Sequence, residues 1–302
     1  MRAGLLALIS LALLPPAFLL FLATGGLTLP LSAVLSPSGA YREIVLGIRL
    51  PTAIASALIG SMLAVSGAVM QLLYRNPLMD PYIAGTSSGA ALGAVAAYLA
   101  ASALGNAYLF FAYQAALAFA LALAASALTV TFGRGNIYAT VIAGVAISYL
   151  FSALTILALS YLARANPQLP PITFWLFGYL TYVDYKYDAV LAAAAAAVVG
   201  LAYLEARRID LVAISDEISS VRGIRPSRYR LAWLIGISLA TALVVAKVGV
   251  IGFVGFMVPH IARILLKNGS ATALVPASAA LGALTLTLSA AVSRGLWASK
   301  SP

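Results

Sequence analysis

Residues 49–94 read RLPTAIASALIGSMLAVSGAVMQLLYRNPLMDPYIAGTSSGAALGA. Arg49-Leu50-Pro51 opens a long apolar segment, and Arg75-Asn76-Pro77-Leu78-Met79-Asp80-Pro81 closes it. A start rich in small residues, Gly85 to Gly93, follows. About 20 apolar residues wound as a helix cross roughly 30 Å of hydrocarbon. The stretch therefore predicts one membrane span over 51–73, a turn carrying two prolines, and a second span over 83–104.

The same pattern recurs outward in both directions. Of the 302 residues 63% are hydrophobic and only 9% charged, where a soluble domain carries roughly 25%. Spans are expected at 4–23, 51–73, 83–104, 108–132, 139–162, 187–206, 229–247, 250–266 and 272–293. This is an all-α, polytopic membrane chain; a β-barrel would show alternating segments of about ten residues instead. Gly4 to Ala23 is too long, and followed by too many spans, to be a signal peptide, and Pro15-Pro16 should kink it. No soluble domain is present. The longest polar insertion, Arg207 to Arg230, is far too short for a nucleotide-binding fold.

The net charge of +10 sits mostly between spans. That speaks for topology and lipid headgroups, not nucleic acid. With the N-terminus inside, one face receives Arg2, Arg75, Arg134, Arg207, Arg208, Arg222, Arg225, Arg228, Arg230, Arg263 and Lys267, and the other seven cations, so loop 207–230 is the best cytoplasmic candidate. Tyr179, Tyr182, Tyr185 and Tyr187 cluster on the opposite side, as an interfacial aromatic belt or a substrate-facing group. Ser88-Gly-Ala-Ala-Leu-Gly93 and Ser278-Ala-Ala-Leu-Gly282 form a faint internal echo, which in so Ala-rich a chain is coincidence as readily as ancestry.

Catalytic chemistry has little to work with. The eight acids, Glu43, Asp80, Asp184, Asp188, Glu205, Asp210, Asp216 and Glu217, fall in loops or at span ends. Ion-driven carriers keep an ionisable group near the bilayer centre, so a secondary carrier and an intramembrane hydrolase are both disfavoured. There is no cysteine, and the lone His260 cannot make a metal site, so neither metal nor cofactor is expected. No phosphate-binding loop exists, so any ATP-driven step needs an ATPase on another polypeptide. Gly249, Gly252 and Gly255 recur every third residue, a spacing that suits close helix packing.

Three constellations remain. Within loop 207–230, residues 214–224 read as a short amphipathic helix. Ser215 caps it, Asp216 and Glu217 lie in its first turn, Ile214, Ile218 and Val221 share one face, Gly223 ends it, and Pro226 stops continuation. Such a helix lies on lipid or docks into a groove of a partner. The second constellation is Gly249-Val-Ile-Gly252-Phe253-Val-Gly255-Phe-Met-Val-Pro259-His260-Ile-Ala-Arg263. The third pairs Asn76-Pro77-Leu-Met-Asp-Pro81 with Gly144-Val-Ala.

Together these resemble the FecCD-type permeases, the BtuC-like membrane subunits of type II ATP-binding-cassette importers for iron–siderophore complexes, haem and cobalamin. The resemblance covers about residues 45–294. It implies one permease domain over 1–302 in the cell membrane, with the N-terminus cytoplasmic. It implies a homodimer with the pathway on its axis, two ATPase subunits on the cytoplasmic face and an extracytoplasmic binding protein. By the same resemblance Ser215, Asp216, Glu217, Ile218, Val221, Arg222 and Gly223 couple to the ATPase, and Asn136, Ile137 and Tyr138 form the gate, where an interfacial anchor is the plainer role for Tyr138. Arg49 and Arg294 face outward to dock the binding protein. Asn76, Pro77, Gly252, Phe253, Gly255, Pro259, His260 and Arg263 are structural motif residues. The chain itself is not an enzyme, and its cargo is a metal chelate. Thr52 and Ala290 depart from the family's Arg and Asp. The family's tenth helix is missing after nine spans, through truncation more readily than by nature, which puts Pro302 outside and leaves a groove where that helix would pack. A secondary carrier for a small amphipathic solute is the alternative, and a scaffold without transport is a third reading.

Overall fold

A computed structural model of the chain describes residues 3–106, 108–133, 136–165, 178, 180 and 183–298. Among them every regular element is helical: α1 (Ala3–Ala23), α2 (Leu31–Leu35), α3 (Gly39–Arg42), a π-helical stretch (Glu43–Arg49), α4 (Leu50–Leu73), α5 (Thr86–Ala103), α6 (Tyr108–Gly133), α7 (Ile137–Ala165), α8 (Tyr185–Leu204), α9 (Ala206–Ile214), α10 (Asp216–Val221), α11 (Pro226–Val248), α12 (Val254–Leu266) and α13 (Ala271–Ala298).

Helices occupy all nine expected places. Among the described residues, seven stretches are long and apolar enough to cross a membrane: Ala3–Ala23, Gly39–Leu73, Ala112–Gly133, Ile137–Arg164, Tyr185–Leu204, Pro226–Val248 and Ala271–Gly295. The other two are α5 and α12. With 13 residues, α12 rises only about 20 Å against a hydrocarbon layer of about 30 Å. The glycine-rich run assigned to its start is not helical, and helix begins only at Val254.

Two boundaries differ for physical reasons. The second span runs back to Gly39, well before the Pro51 expected to open it. Proline lacks the N–H that the preceding turn would use. The π-helical stretch just before it absorbs the mismatch, with the Leu50 N–H bonding the Val45 carbonyl five residues back. After α8, the first half of the supposed loop is helix α9, which buries Ile209 and Val212. Its Asp210 accepts the Ala271 N–H at 2.6 Å, satisfying an orphan donor at the start of α13.

The chain divides into two compact units, Met1–Leu72 with Leu180–Ala213 and Phe253–Pro302, and Leu73–Tyr179 with Ile214–Gly252. In the first, α13 packs on α1, α8 and α12. There α4 meets its neighbours backbone to backbone: a Cβ on Gly60 would strike the Gly282 carbonyl, and one on Gly67 would overlap the Gly255 carbonyl. Beside the first crossing, the hydroxyls of Ser56 and Thr287 bond at 3.0 Å. In the second unit, α5 lies on α6 and α7, and α11 on α5 and α6. Van der Waals packing and small residues hold such helices together where lipid offers no hydrophobic drive.

Candidate functional site

The amphipathic turn is α10, six residues long. Ser215 Oγ accepts the N–H groups of Glu217 at 3.1 Å and Ile218 at 3.3 Å, and also bonds the Glu217 carboxylate. At the other end the Ile224 N–H reaches the Ser219 carbonyl and the Gly223 N–H the Ser220 carbonyl, with Gly223 at φ +80°. This is a Schellman ending, which needs a left-handed residue at that place. Both caps fall where the sequence puts them. The helix is shorter than 214–224 because the caps close it on both sides, and Pro226 also starts α11.

The apolar face of this turn is exposed in this chain. Ile214, Ile218 and Val221 are 67%, 47% and 88% exposed. Glu217 and Arg222 are exposed beside them. Asp216 turns the other way. Its carboxylate takes a forked pair of bonds from Arg230, Nη1 to Oδ2 at 2.9 Å and Nη2 to Oδ1 at 2.6 Å, and a further one from Arg75. These bonds from Arg230 hold the Asp216 carboxyl below the usual carboxylate range, against a smaller opposing effect of burial. Arg230 is only 3% exposed, and its Nε–H donates to the Leu73 carbonyl at 2.7 Å.

The Asn-Pro turn is seated within the same unit. Asn76 Oδ1 accepts the Leu78 N–H at 2.9 Å, an Asx turn that Pro77 permits because its own donor is not needed. Further on, the Ile83 carbonyl lies where a Cβ on Gly144 would be, and Thr129 Oγ1 donates to the Ala84 carbonyl at 3.0 Å. The Gly-x-Ala motif on α7 thus exists to let this turn approach. At the head of α7, Asn136 Oδ1 caps the Ala139 N–H at 3.1 Å. Tyr138 beside it is 79% exposed, and its ring begins a stripe with Ile142, Val145 and Tyr149, all exposed.

The Gly249–Arg263 motif resolves into different jobs. The three glycines do not form one packing surface. Gly249 ends α11 at φ +75° and Gly252 faces open space; only Gly255 packs closely, against Gly67. Pro259 explains why that contact is available. Lacking an N–H, it leaves the Gly255 carbonyl, four residues back, without its helical partner. Phe253, exposed at φ +67°, turns the chain into α12. Arg263 Nη2 donates to Gln71 Oε1 at 3.2 Å while Gln71 Nε2 donates to the Phe256 carbonyl at 3.1 Å, so the end of α12 is clipped to α4. His260 is exposed on α12. No group of three or more His, Cys, Asp or Glu suited to a metal occurs among the described residues.

Arg49 is buried, not exposed. It is 4% exposed, and its guanidinium donates to the Leu22 carbonyl at 2.6 Å and to the Leu27 carbonyl. The last carbonyls of α1 are orphaned at the negative end of that helix, and a cation there is doubly favoured. Thr52 is buried and bonds back to the Ile48 carbonyl at 2.7 Å. Arg294 lies with its guanidinium 4.6 Å from the centre of the Phe21 ring. Tyr185 donates to the Leu46 carbonyl at 2.5 Å; Tyr179 and Tyr182 of the supposed aromatic belt lie outside the described residues.

The residue that sequence reasoning missed is Arg230, counted there as one cation among six in a basic loop. Its partners lie 14 and 157 positions away, and no local pattern marks them. Asp188 is the other surprise. It is buried in the first turn of α8, and neither carboxylate oxygen has a hydrogen-bond partner.

Residues 11–301 match the model of the FecCD transport family. A probable iron chelatin transport system permease protein of Helicobacter pylori is 36% identical over 260 residues, covering 83% of this chain and 74% of the relative. The cobalamin import system permease of Halobacterium salinarum is 34% identical over 258 residues, covering 83% and 67%. A solved structure described as an inward-facing conformation of a metal-chelate type ABC transporter superposes with a TM-score of 0.78 at 25% identity, covering 99% of this chain and 93% of that one.

Proposed function

The chain belongs to the FecCD transport family, and from that premise we propose that it is the membrane permease of an ATP-binding-cassette importer for a metal chelate such as a ferric siderophore, haem or cobalamin. It works as a homodimer in the cell membrane with its N-terminus in the cytoplasm. Two separate ATPase subunits supply the energy, and a binding protein outside delivers the cargo. The permease performs no catalysis itself.

The observation that carries this reading is α10. Both its ends are capped within the chain, Asp216 is anchored inward, and the apolar side chains of Ile214, Ile218 and Val221 are left bare. A helix so short does not hold this shape unaided, so the anchoring serves the presentation of that face. A groove on an ATPase subunit is the occupant that fits. The exposed stripe on α7 from Tyr138 to Tyr149 lines the pathway at the dimer axis, with Asn136, Ile137 and Tyr138 as its inner gate. A largely apolar lining binds the cargo weakly and lets it pass. Arg294 keeps the outward docking role, and Arg49 supports the end of α1 beneath it.

The test is Ile218→Asp. It places a charge in the docking groove without touching the caps of α10. ATPase subunits should cease to co-purify, and uptake should fall about a hundredfold, in keeping with the loss of a central interface anchor. Full retention of both would end the assignment.

A further inference from the structure

Docking and transmission need not use the same residues, and in this chain they lie on opposite sides of α10. We propose that Arg230 is the transmission joint, a buried guanidinium that carries the movement of α10 into the ends of α4 and α11. The proposal rests on the reading that α10 meets an ATPase and names what happens behind that contact.

Three donors of one rigid, planar group reach two elements. Nη1 and Nη2 grip Asp216, the first residue of α10, and Nε–H grips the carbonyl of Leu73, the last residue of α4. Arg230 itself belongs to the second turn of α11. A forked Arg–carboxylate pair fixes direction as well as distance, which a lysine cannot do. Leu73 directly precedes the turn that Gly144 and Thr129 seat on α7 and α6. A displacement of Asp216 therefore arrives at the root of that turn and at the start of α11 together. Arg75 also holds Asp216, yet its side chain is 36% exposed where that of Arg230 is 4% exposed. Water competes for Arg75 and is largely kept from Arg230.

The experiment compares Arg230→Gln with Ile218→Asp in the full complex with its ATPase subunits. Arg230→Gln should keep the ATPase bound while cargo moved per ATP falls about tenfold, a coupling change of ordinary size. Loss of the ATPase equal to that of Ile218→Asp, or unchanged cargo per ATP, would overturn the joint. A second arm uses nitroxides at Leu78 and Ser220, placed through single cysteines in a chain that has none. Their distance distribution should be narrow in the parent, broad in Arg230→Gln and intermediate in Arg230→Lys. Three identical distributions would also overturn the proposal. Should the glutamine variant not fold, Arg230→Lys carries both arms alone. The distance arm needs no ATPase, so a chain that binds none would defeat the docking reading and still leave the joint to be judged.

Discussion

Arg49 and Arg230 are both buried, and they are held in opposite ways. Arg230 faces a carboxylate and a helix-end carbonyl. Arg49 faces carbonyls alone, those of Leu22 and Leu27, and no acidic partner is found for it among the described residues. The first arrangement contains an ionic bond that acid or mutation can open. The second is a cation held by neutral dipoles, and nothing within the usual range of pH can switch it. A protein that must move at one place and stay fixed at another has reason to use both.

Removing Arg49 should be the most damaging way to test the contrast. Arg49→Met leaves two inward carbonyls without donors, at about 1–3 kcal/mol each. Thermal unfolding in detergent should show a loss of about 2–6 kcal/mol. A loss comparable to an ordinary surface substitution would show that carbonyl dipoles do not secure Arg49.

Acid should separate the two sites more gently. The Asp216 carboxyl titrates below its ordinary range, so its contribution is complete above the unfolded value of about 4 and disappears as the pH falls through the lower folded value. Ordering of α10, read from a nitroxide at Ser220, should persist down to about pH 4 and fail below it. Asp216→Asn should remove that dependence. A label near the Arg49 cluster should respond to neither, and a parallel response there would erase the distinction.

The smallest effect sharpens the comparison from the other side. Ala290→Asp supplies an acid one turn before Arg294 and makes the Arg49 neighbourhood resemble that of Arg230. An i,i+4 pair of this kind contributes about 0.3–0.5 kcal/mol, so the melting temperature should rise by about 1–2 °C. A fall would mean that the site favours its cations without a fixed counter-charge.

Much of this was legible in the sequence where the cause is local. Apolar length marked the places of nine helices. Ser215 and Gly223 announced the two ends of α10, because capping is decided within a few residues. The motif glycines flagged places of constraint, though their spacing suggested one surface where Gly249, Gly252 and Gly255 serve different ends. What escaped was long-range or concealed. The π-helical stretch that carries the second span past Pro51 leaves no periodic signal. Helix α9 hides in a segment rich in charge, where Arg207, Arg208 and Asp210 dilute the apolar pattern of Ile209 and Val212. Arg49 and Arg230 look alike as letters, and only their partners tell one from the other.

The crossing of α4 with α12 has a consequence for how such a chain changes over time. Gly67 and Gly255 meet main chain to main chain, and Pro259 has released the carbonyl at the point of approach. A contact made of side chains drifts by paired replacements, each partner adjusting to the other. This one offers no side chain to adjust. Selection can only keep it or lose it whole, while the residues around it are free to exchange one apolar shape for another.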